Sequence, residues 1–152
     1  MQHSTIHKPY TRFFITLLIS FVIMYSIMFL NVNAADDIFL SLTRTYMSLL
    51  MVSSMMIVML LMMGSMYKNK TKNIIILFSG AVLFCMSLYF LRAQVFISDH
   101  EYMKAMIPHH SSAILTSENA DIKNPKVKEL SNQIIEAQKK EISLMKDLLK
   151  NE

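Results

Sequence analysis

Cysteine and tryptophan are almost absent from this sequence. Cys85 is the single cysteine, and there is no tryptophan. One thiol excludes an internal disulfide and a cysteine-based zinc site. The formal net charge of +4 comes from scattered lysines, without a basic stripe interleaved with aromatic residues. This pattern predicts no nucleic-acid partner.

Charged residues are also scarce between positions 13 and 97, where the hydrophobic residues are concentrated. Three runs, 13–30, 46–66 and 74–91, contain no charged side chain. Each is close to the ~20 residues that cross a hydrocarbon core of ~30 Å. The sequence therefore predicts a three-helix membrane domain over residues 1–97, set in a lipid bilayer. The first run has an alternative interpretation, because Val32-Asn33-Ala34 resembles a signal-peptidase site.

The charges of the short loops predict an orientation. The N-terminal tail and the loop after the second run carry the basic residues Lys8, Arg12, Lys68, Lys70 and Lys72. The loop after the first run carries Asp36, Asp37 and only Arg44. Basic loops remain in the cytoplasm. We therefore expect a cytoplasmic N-terminus and an extracytoplasmic region from Ser98 onward, which in a bacterium means the inner membrane and a periplasmic C-terminal domain.

The second run contains eight methionines. Six recur at steps of three and four residues: Met47, Met51, Met55, Met59, Met62 and Met66. Such a row either passes copper(I) along the helix or simply fills irregular apolar gaps. The sequence leaves both interpretations open. No carboxylate or histidine interrupts the three runs, so the ion relay typical of a transporter is missing.

Residues 98–152 predict two further helices. Ser98 and Glu101 form a Ser-x-x-Glu capping box that opens the first. Asn124-Pro125 is the start signal of the second, which runs to about Leu149. The predicted fold class is all-α, with three transmembrane helices followed by an extracytoplasmic two-helix hairpin.

One face of the first hairpin helix carries sulfur, imidazole and carboxylate groups. At about 100° per residue, Asp99, Met103, His109 and His110 fall within about 60° of Met106. Thioether and imidazole donors suit copper and are poor ligands for magnesium or calcium. Alternatively, the methionines are core packing and the histidines form a polar edge. His100 lies off this face, and no role is assigned to His3 or His7.

The second hairpin helix has an amphipathic pattern that suggests its inner face. That face is predicted as Val127, Leu130, Ile134, Ala137, Glu141, Met145 and Leu148, with Gln138 at its edge. Polar groups in an apolar row cost stability unless they have partners. In an antiparallel hairpin Glu141 and Met145 approach the level of His110. These groups then either hydrogen-bond to one another or converge on a metal ion.

The hairpin is short for an independent domain. Two helices in 55 residues bury too little apolar surface to be stable alone. We expect either a homodimer, in which two hairpins form a four-helix bundle, or docking on the membrane helices.

Three segments within residues 98–149 carry a family resemblance: Tyr102-Met103-x-x-Met106-Ile107-x-His109-His110-x-x-Ala113, then Asn124-Pro125, then Ile134-Ile135-x-Ala137-Gln138-x-x-Glu141-Ile142-x-x-Met145. In these segments the chain resembles the bacterial domain of unknown function 305. The resemblance implies a ferritin-like helical bundle, often dimeric, exported from the cytoplasm and in some members binding copper through Met and His. By this analogy the candidate copper ligands are Met103, Met106, His109, His110 and Met145, with Asp99, Gln138 and Glu141 as neighbours.

The sequence thus predicts a membrane-anchored extracytoplasmic protein that binds a metal ion, with copper as the expected one, for resistance or homeostasis by sequestration or hand-off. The alternative is a non-catalytic membrane module for dimerisation or partner binding, with no metal role. We expect no enzymatic activity. A ferritin-like di-iron oxidase requires Glu-x-x-His pairs, and none occurs in the chain.

Overall fold

The computed structural model describes residues 7–151 and, for His7 and Lys8, the backbone only. Over this range the chain forms five α-helices: α1 (His7–Ile27), α2 (Leu42–Met62), α3 (Lys70–Ala93), α4 (Asp99–Asn119) and α5 (Pro125–Asn151). A 3-10 turn, Ala35–Asp37, lies between α1 and α2. No strand occurs in the described residues, so the predicted all-α class is confirmed.

Three of these helices are long and apolar enough to cross a membrane: Pro9–Ile27, Leu42–Met62 and Lys70–Ala93. The predicted number of apolar helices of membrane-spanning length is therefore confirmed, although the bounds differ. The first helix ends at Ile27 instead of Leu30, and the second begins at Leu42 instead of Tyr46.

The earlier end of α1 has a local cause in the chain that follows it. Phe29 is buried, and the guanidinium of Arg44 lies 4.4 Å from the centre of its ring. Arg44 Nη1 also donates a hydrogen bond to the carbonyl of Met28. A cation–π contact and a backbone hydrogen bond thus hold residues 28 and 29 against the first turn of α2, outside α1.

Residues 7–27 and 45–95 form one unit of the fold. Its apolar core consists of Tyr10, Phe13, Leu17, Val52, Met56, Leu60, Tyr67 and Ile76. Helices α2 and α3 approach closely at Gly80, where an added Cβ would lie 2.9 Å from Met56 Cε. Small residues permit this kind of approach between membrane helices.

The predicted methionine row lies mostly on the outside of this unit, and its last member, Met66, lies beyond the end of α2. Met47, Met51, Met62 and Met66 are exposed, whereas the methionine buried in the core is Met56, which is not a member of the row. Whether the row carries metal stays a prediction. Its position is the one expected for side chains that face lipid.

Residues 28–44 and 96–151 form the other unit, in which α4 and α5 pack as a hairpin. The sequence grouped residues 28–44 with the membrane domain. In the structure they fold as a segment along the hairpin, which we call the strap (residues 28–44). The hairpin therefore has a third layer, formed by chain that precedes it by more than 50 residues.

The predicted start signals of the hairpin helices are borne out with one difference. The Ser98 hydroxyl accepts from the amide of Glu101 at 3.4 Å, and Asn124 Oδ1 accepts from the amide of Lys126 at 2.9 Å. The Glu101 carboxylate, however, accepts from the amide of Leu42 at 2.8 Å. The glutamate of the predicted capping box thus binds a backbone amide at the end of the strap.

Candidate functional site

The buried face of α4 shares only Met103 with the face that carries the predicted ligands. Its buried residues are Met103, Ile107, Pro108, Ser111 and Ile114. Their mean direction is rotated by about 110° from Met106 on a helical wheel. Branched aliphatic side chains occupy the centre because α5 and the strap cover them from two sides, and Met106 and His110 lie at the flank, half-buried.

The predicted inner face of α5 is wrong except at Gln138 and Met145. Val127, Leu130, Ile134 and Leu148 are exposed, and the Glu141 side chain is 52% exposed. The row directed inward is Ser131, Ile135, Gln138, Ile142, Met145 and Leu149. Both rows have helical spacing, so periodicity alone does not decide between them. Ser131 favours the observed row, because its small side chain contacts α4 and donates to the Ser117 carbonyl at 3.3 Å.

His110 is the predicted ligand with the most distinctive surroundings. Its side chain is 14% exposed, and its Nε2 lies 3.2 Å from Glu141 Oε2 across the hairpin. Its Nδ1 is buried and has no hydrogen-bond partner among the described residues. Burial lowers the pKa of His110, with the neighbouring His109 acting in the same direction and Glu141 opposing it. The imidazole is therefore neutral at pH 7, and its contact with Glu141 is not an ion pair there.

The other predicted site residues are only partly brought together. His109 is exposed, with its ring centre 6.0 Å from that of His110. Met103 is buried, while Met145 is half-buried against the cluster of Ile107, Ile114 and Ile142. Gln138 is half-buried and Asp99 is exposed in the first turn of α4. His3 and the side chain of His7 lie outside the described residues.

Carboxylates, imidazoles and thiols do not by themselves form a metal site in the described part of one chain. No group of three or more His, Cys, Asp or Glu side chains there is arranged to hold a metal ion. A metal bound at His110 would therefore need thioether sulfur, or groups from a second molecule, to complete its coordination.

A buried polar network that the sequence did not indicate joins the strap to the hairpin. Asp37 Oδ2 accepts from the Ser111 hydroxyl at 2.5 Å, and Asp37 Oδ1 lies 2.5 Å from Lys146 Nζ. Ser111 also accepts from the amide of Asn33 at 2.8 Å. The available signal was Ser111 itself, a small polar residue between Ile107 and Ile114 that needs a partner when buried.

The side chain of Phe39 completes the attachment of the strap by packing against the isoleucine cluster of α4 and α5. Asn31 Nδ2 adds a hydrogen bond to the Ser112 hydroxyl at 2.8 Å. The strap thus partly covers the apolar face of the hairpin. From the sequence, this face was predicted to dock on a second copy or on the membrane helices.

The strap leaves uncovered a concave apolar surface near the turn of the hairpin. A cavity of about 220 Å³ opens there. Its walls include residues from the end of α4, the turn and the first half of α5: Thr116, Ala120, Ile122, Val127, Leu130 and Ile134. Among them, Val127, Leu130 and Ile134 are the exposed apolar residues of α5.

Comparison with known proteins identifies the family. Residues 88–151 match the model of a family described as a domain of unknown function, DUF305. An uncharacterized protein of Acanthamoeba polyphaga mimivirus is 40% identical to the chain over 134 residues, which cover 86% of each protein. The chain therefore belongs to the DUF305 family, as its motifs predicted. No solved structure matches the chain.

Proposed function

We propose that this protein is a membrane-anchored metal-binding protein in which the α4–α5 hairpin binds copper. The ion is sequestered there or handed to another protein, in copper resistance or homeostasis. The observation that carries the proposal is the buried Nδ1 of His110, which has no partner among the described residues, on a ring that a carboxylate approaches from the other side.

The surroundings of His110 match what a metal ligand requires. Histidines that bind metals usually have a carboxylate or carbonyl next to the second ring nitrogen, which fixes the tautomer. Glu141, at 3.2 Å from Nε2, favours the proton on Nε2 and leaves the lone pair on Nδ1. Burial lowers the pKa of His110, so protons do not compete with a metal ion for Nδ1 at neutral pH.

The donor set favours copper(I). Met106 precedes His110 by four residues and His109 by three, so these side chains are neighbours on the surface of α4. Met103 lies one turn further back. Thioether sulfur selects copper(I) over magnesium, calcium and manganese, which prefer oxygen. Copper(I) would be bound reversibly by these soft ligands, while other residues of this chain hold and orient the imidazole.

The location of the site follows from the three apolar helices and the loop charges. Basic residues in the N-terminal tail and in the α2–α3 loop keep those segments in the cytoplasm, which puts the hairpin on the opposite side. The relative described above is a viral protein, so a bacterial inner membrane stays a prediction, and the proposal requires only a cellular membrane.

Copper titration of the full-length protein in detergent micelles tests the proposal. We expect a competition assay with a copper(I) chelator to give one tight site in the wild type and in the His100→Ala control. His110→Ala should lose that site. Glu141→Gln retains the ligand but weakens its orientation, for which about 10- to 100-fold lower affinity is expected.

One further substitution tests the thioether ligand. Met106→Leu keeps the apolar volume and removes the sulfur, so it should weaken copper(I) binding and leave the helical content unchanged. Equal copper affinity in the wild type, His110→Ala and Met106→Leu would reject the site.

A second candidate function is a dimerisation or partner-binding module with no metal role, in which two hairpins form a ferritin-like four-helix bundle. The exposed apolar residues of α5 favour it. In this case the contact between His110 and Glu141 serves only to join α4 to α5. Copper removal would then leave the oligomeric state and the melting temperature unchanged.

A further inference from the structure

Helix α5 exposes a regular apolar row along its full length. Five members are large hydrophobic side chains between 37% and 58% exposed, and the row reads Val127, Leu130, Ile134, Ala137, Glu141, Leu144 and Leu148. Its steps alternate between three and four residues without a break, which is the a/d spacing of a two-stranded coiled coil. The row of α5 that faces α4 is a different one, so this surface is free within the described residues of one chain.

We propose that the row binds the same row of a second copy of this chain, with the two α5 helices antiparallel. The first argument is that the surface is complementary to itself. Its first half borders the cavity of about 220 Å³, and its second half presents the protruding side chains of Leu144 and Leu148. A twofold axis brings each half against the other, as an isologous interface requires.

The second argument is steric and fixes the register. Opposing Val127 to the partner's Leu144 also opposes Ile134 to the partner's Ala137. The latter pair matches a large side chain with a small one. A shallow concavity of about 630 Å³, lined in part by Ala137 and Leu144, lies on this face, and the partner's Ile134 would enter it next to Ala137. Alternation of large and small residues across facing positions is how packed helices exclude voids.

The third argument is electrostatic. In this register Lys126 flanks the interface opposite the partner's Asp147, and the twofold axis makes this pair twice. A shift by one heptad would instead bring Lys140 next to the partner's Lys140. A parallel pair would oppose Glu141 to the partner's Glu141 in the core, where like charges are costly. The charges therefore select the antiparallel arrangement and this register.

Glu141 is the one charged member of the row, and its own chain already directs it to the edge. Its Oε2 lies 3.2 Å from His110 Nε2 on α4. The carboxylate thus points toward the hairpin, and the aliphatic part of the side chain is what faces the partner's Leu130. This interface deepens the dimerisation function proposed above and uses none of the proposed copper ligands.

Disulfide cross-linking of the full-length protein in detergent micelles tests the proposal. The background is Cys85→Ser, because Cys85 is exposed. In the double variant Val127→Cys/Leu144→Cys, the two thiols of one chain are about 26 Å apart along one helix. They are too distant for an internal bond, which needs Cα atoms within about 7 Å. We expect mild oxidation to give a covalent dimer from the double variant and monomers from each single variant.

The matched control is Glu129→Cys/Ser143→Cys, at two exposed positions outside the row. It should remain monomeric on oxidation. Cross-linking of the Leu144→Cys single variant to the same extent as the double variant would mean a parallel pair or a different register, and either would overturn the proposal. Absence of a dimer from every variant would overturn it as well and would favour a lipid surface or a different protein as the partner of the row.

Charge exchange provides a test that does not depend on introduced thiols. Asp147→Lys should weaken the dimer about fivefold, as expected for two exposed ion pairs, measured by sedimentation in detergent. Lys126→Asp/Asp147→Lys restores opposite charges and should recover the wild-type dimer. No recovery would count against the register. The outcome is independent of copper titration, so failure of the interface and failure of the metal site are distinguishable.

Discussion

Replacing Asp37 by asparagine should loosen the hairpin although Asp37 lies more than 60 residues before α4. In the structure its carboxylate accepts from Ser111 and contacts Lys146, both at 2.5 Å. The side chain of Asp37 is 7% exposed and that of Lys146 is 26% exposed. Asparagine keeps the size of the side chain but removes the charge, which leaves Lys146 without its counter-ion.

The size of this effect follows from the burial of the two groups. Breaking a fully buried ion pair costs about 3–5 kcal/mol. Lys146 is a quarter exposed and regains some hydration by moving outward, so we expect about 2–3 kcal/mol. That corresponds to a change of about 30- to 150-fold in the equilibrium constant for local opening.

Amide hydrogen exchange of the full-length protein, followed by mass spectrometry, measures this local opening. Peptides from α4 and α5 should exchange faster in Asp37→Asn by about the factor above, if exchange tracks the opening equilibrium. The matched control is Asp36→Asn, because Asp36 is the exposed neighbour. It should leave the exchange rates unchanged. Unchanged protection of α4 and α5 in Asp37→Asn would refute the conclusion that the strap stabilises the hairpin.

Three other predictions follow from the same contacts. Phe39→Ala should destabilise the hairpin by about 1.5–3 kcal/mol, which is less than the cost for a fully buried phenylalanine. The control Leu40→Ala, at an exposed position, should have little effect in the same hydrogen-exchange measurement. Burial lowers the pKa of His110 in the folded protein, so below about pH 6.5 the unfolded chain binds more protons than the folded one. The contribution of His110 to the free energy of unfolding should therefore be constant above about pH 6.5 and fall as the pH drops below it. His110→Gln should remove this pH-dependent contribution from the stability profile. In Gly80→Ala the added Cβ would lie 2.9 Å from the flexible end of Met56 and 3.1 Å from Ile57 Cγ1, so we expect a cost below about 1 kcal/mol. Gly80→Ile should cost about 1–3 kcal/mol by overpacking. Both costs are measured as a lower melting temperature in detergent.

The predicted membrane helices show where sequence patterns are reliable. Long runs without charge produced three helices at the expected places, because length and composition alone decide whether a segment is long and apolar enough to cross a bilayer. The helix ends were less accurate. Residues 28–30 are apolar like the run before them, and only the contacts of Phe29 and Met28 with Arg44 place them outside α1.

The site was predicted in part. The sequence correctly joined His110 on α4 with Glu141 on α5, because an antiparallel hairpin brings those levels together. It also expected His109 to lie on the inner face, and this residue is exposed. A helical wheel shows only the direction of each side chain and does not distinguish apolar residues by the area they bury. In the folded hairpin Ile107 and Ile114 lie at the centre of the buried face, because these side chains bury more apolar surface than the histidines.

The amino-acid sequence by itself determined the helical class, the three apolar helices, the start of each hairpin helix and the membership in the DUF305 family. These properties depend on local composition, on capping residues and on motif spacing. Only the tertiary structure decided which of the two apolar rows of α5 faces α4 and that the strap covers the hairpin through Asp37 and Phe39. Helical periodicity predicts that an apolar row exists. Which row becomes buried depends on contacts with side chains that are distant in the chain and become neighbours only on folding.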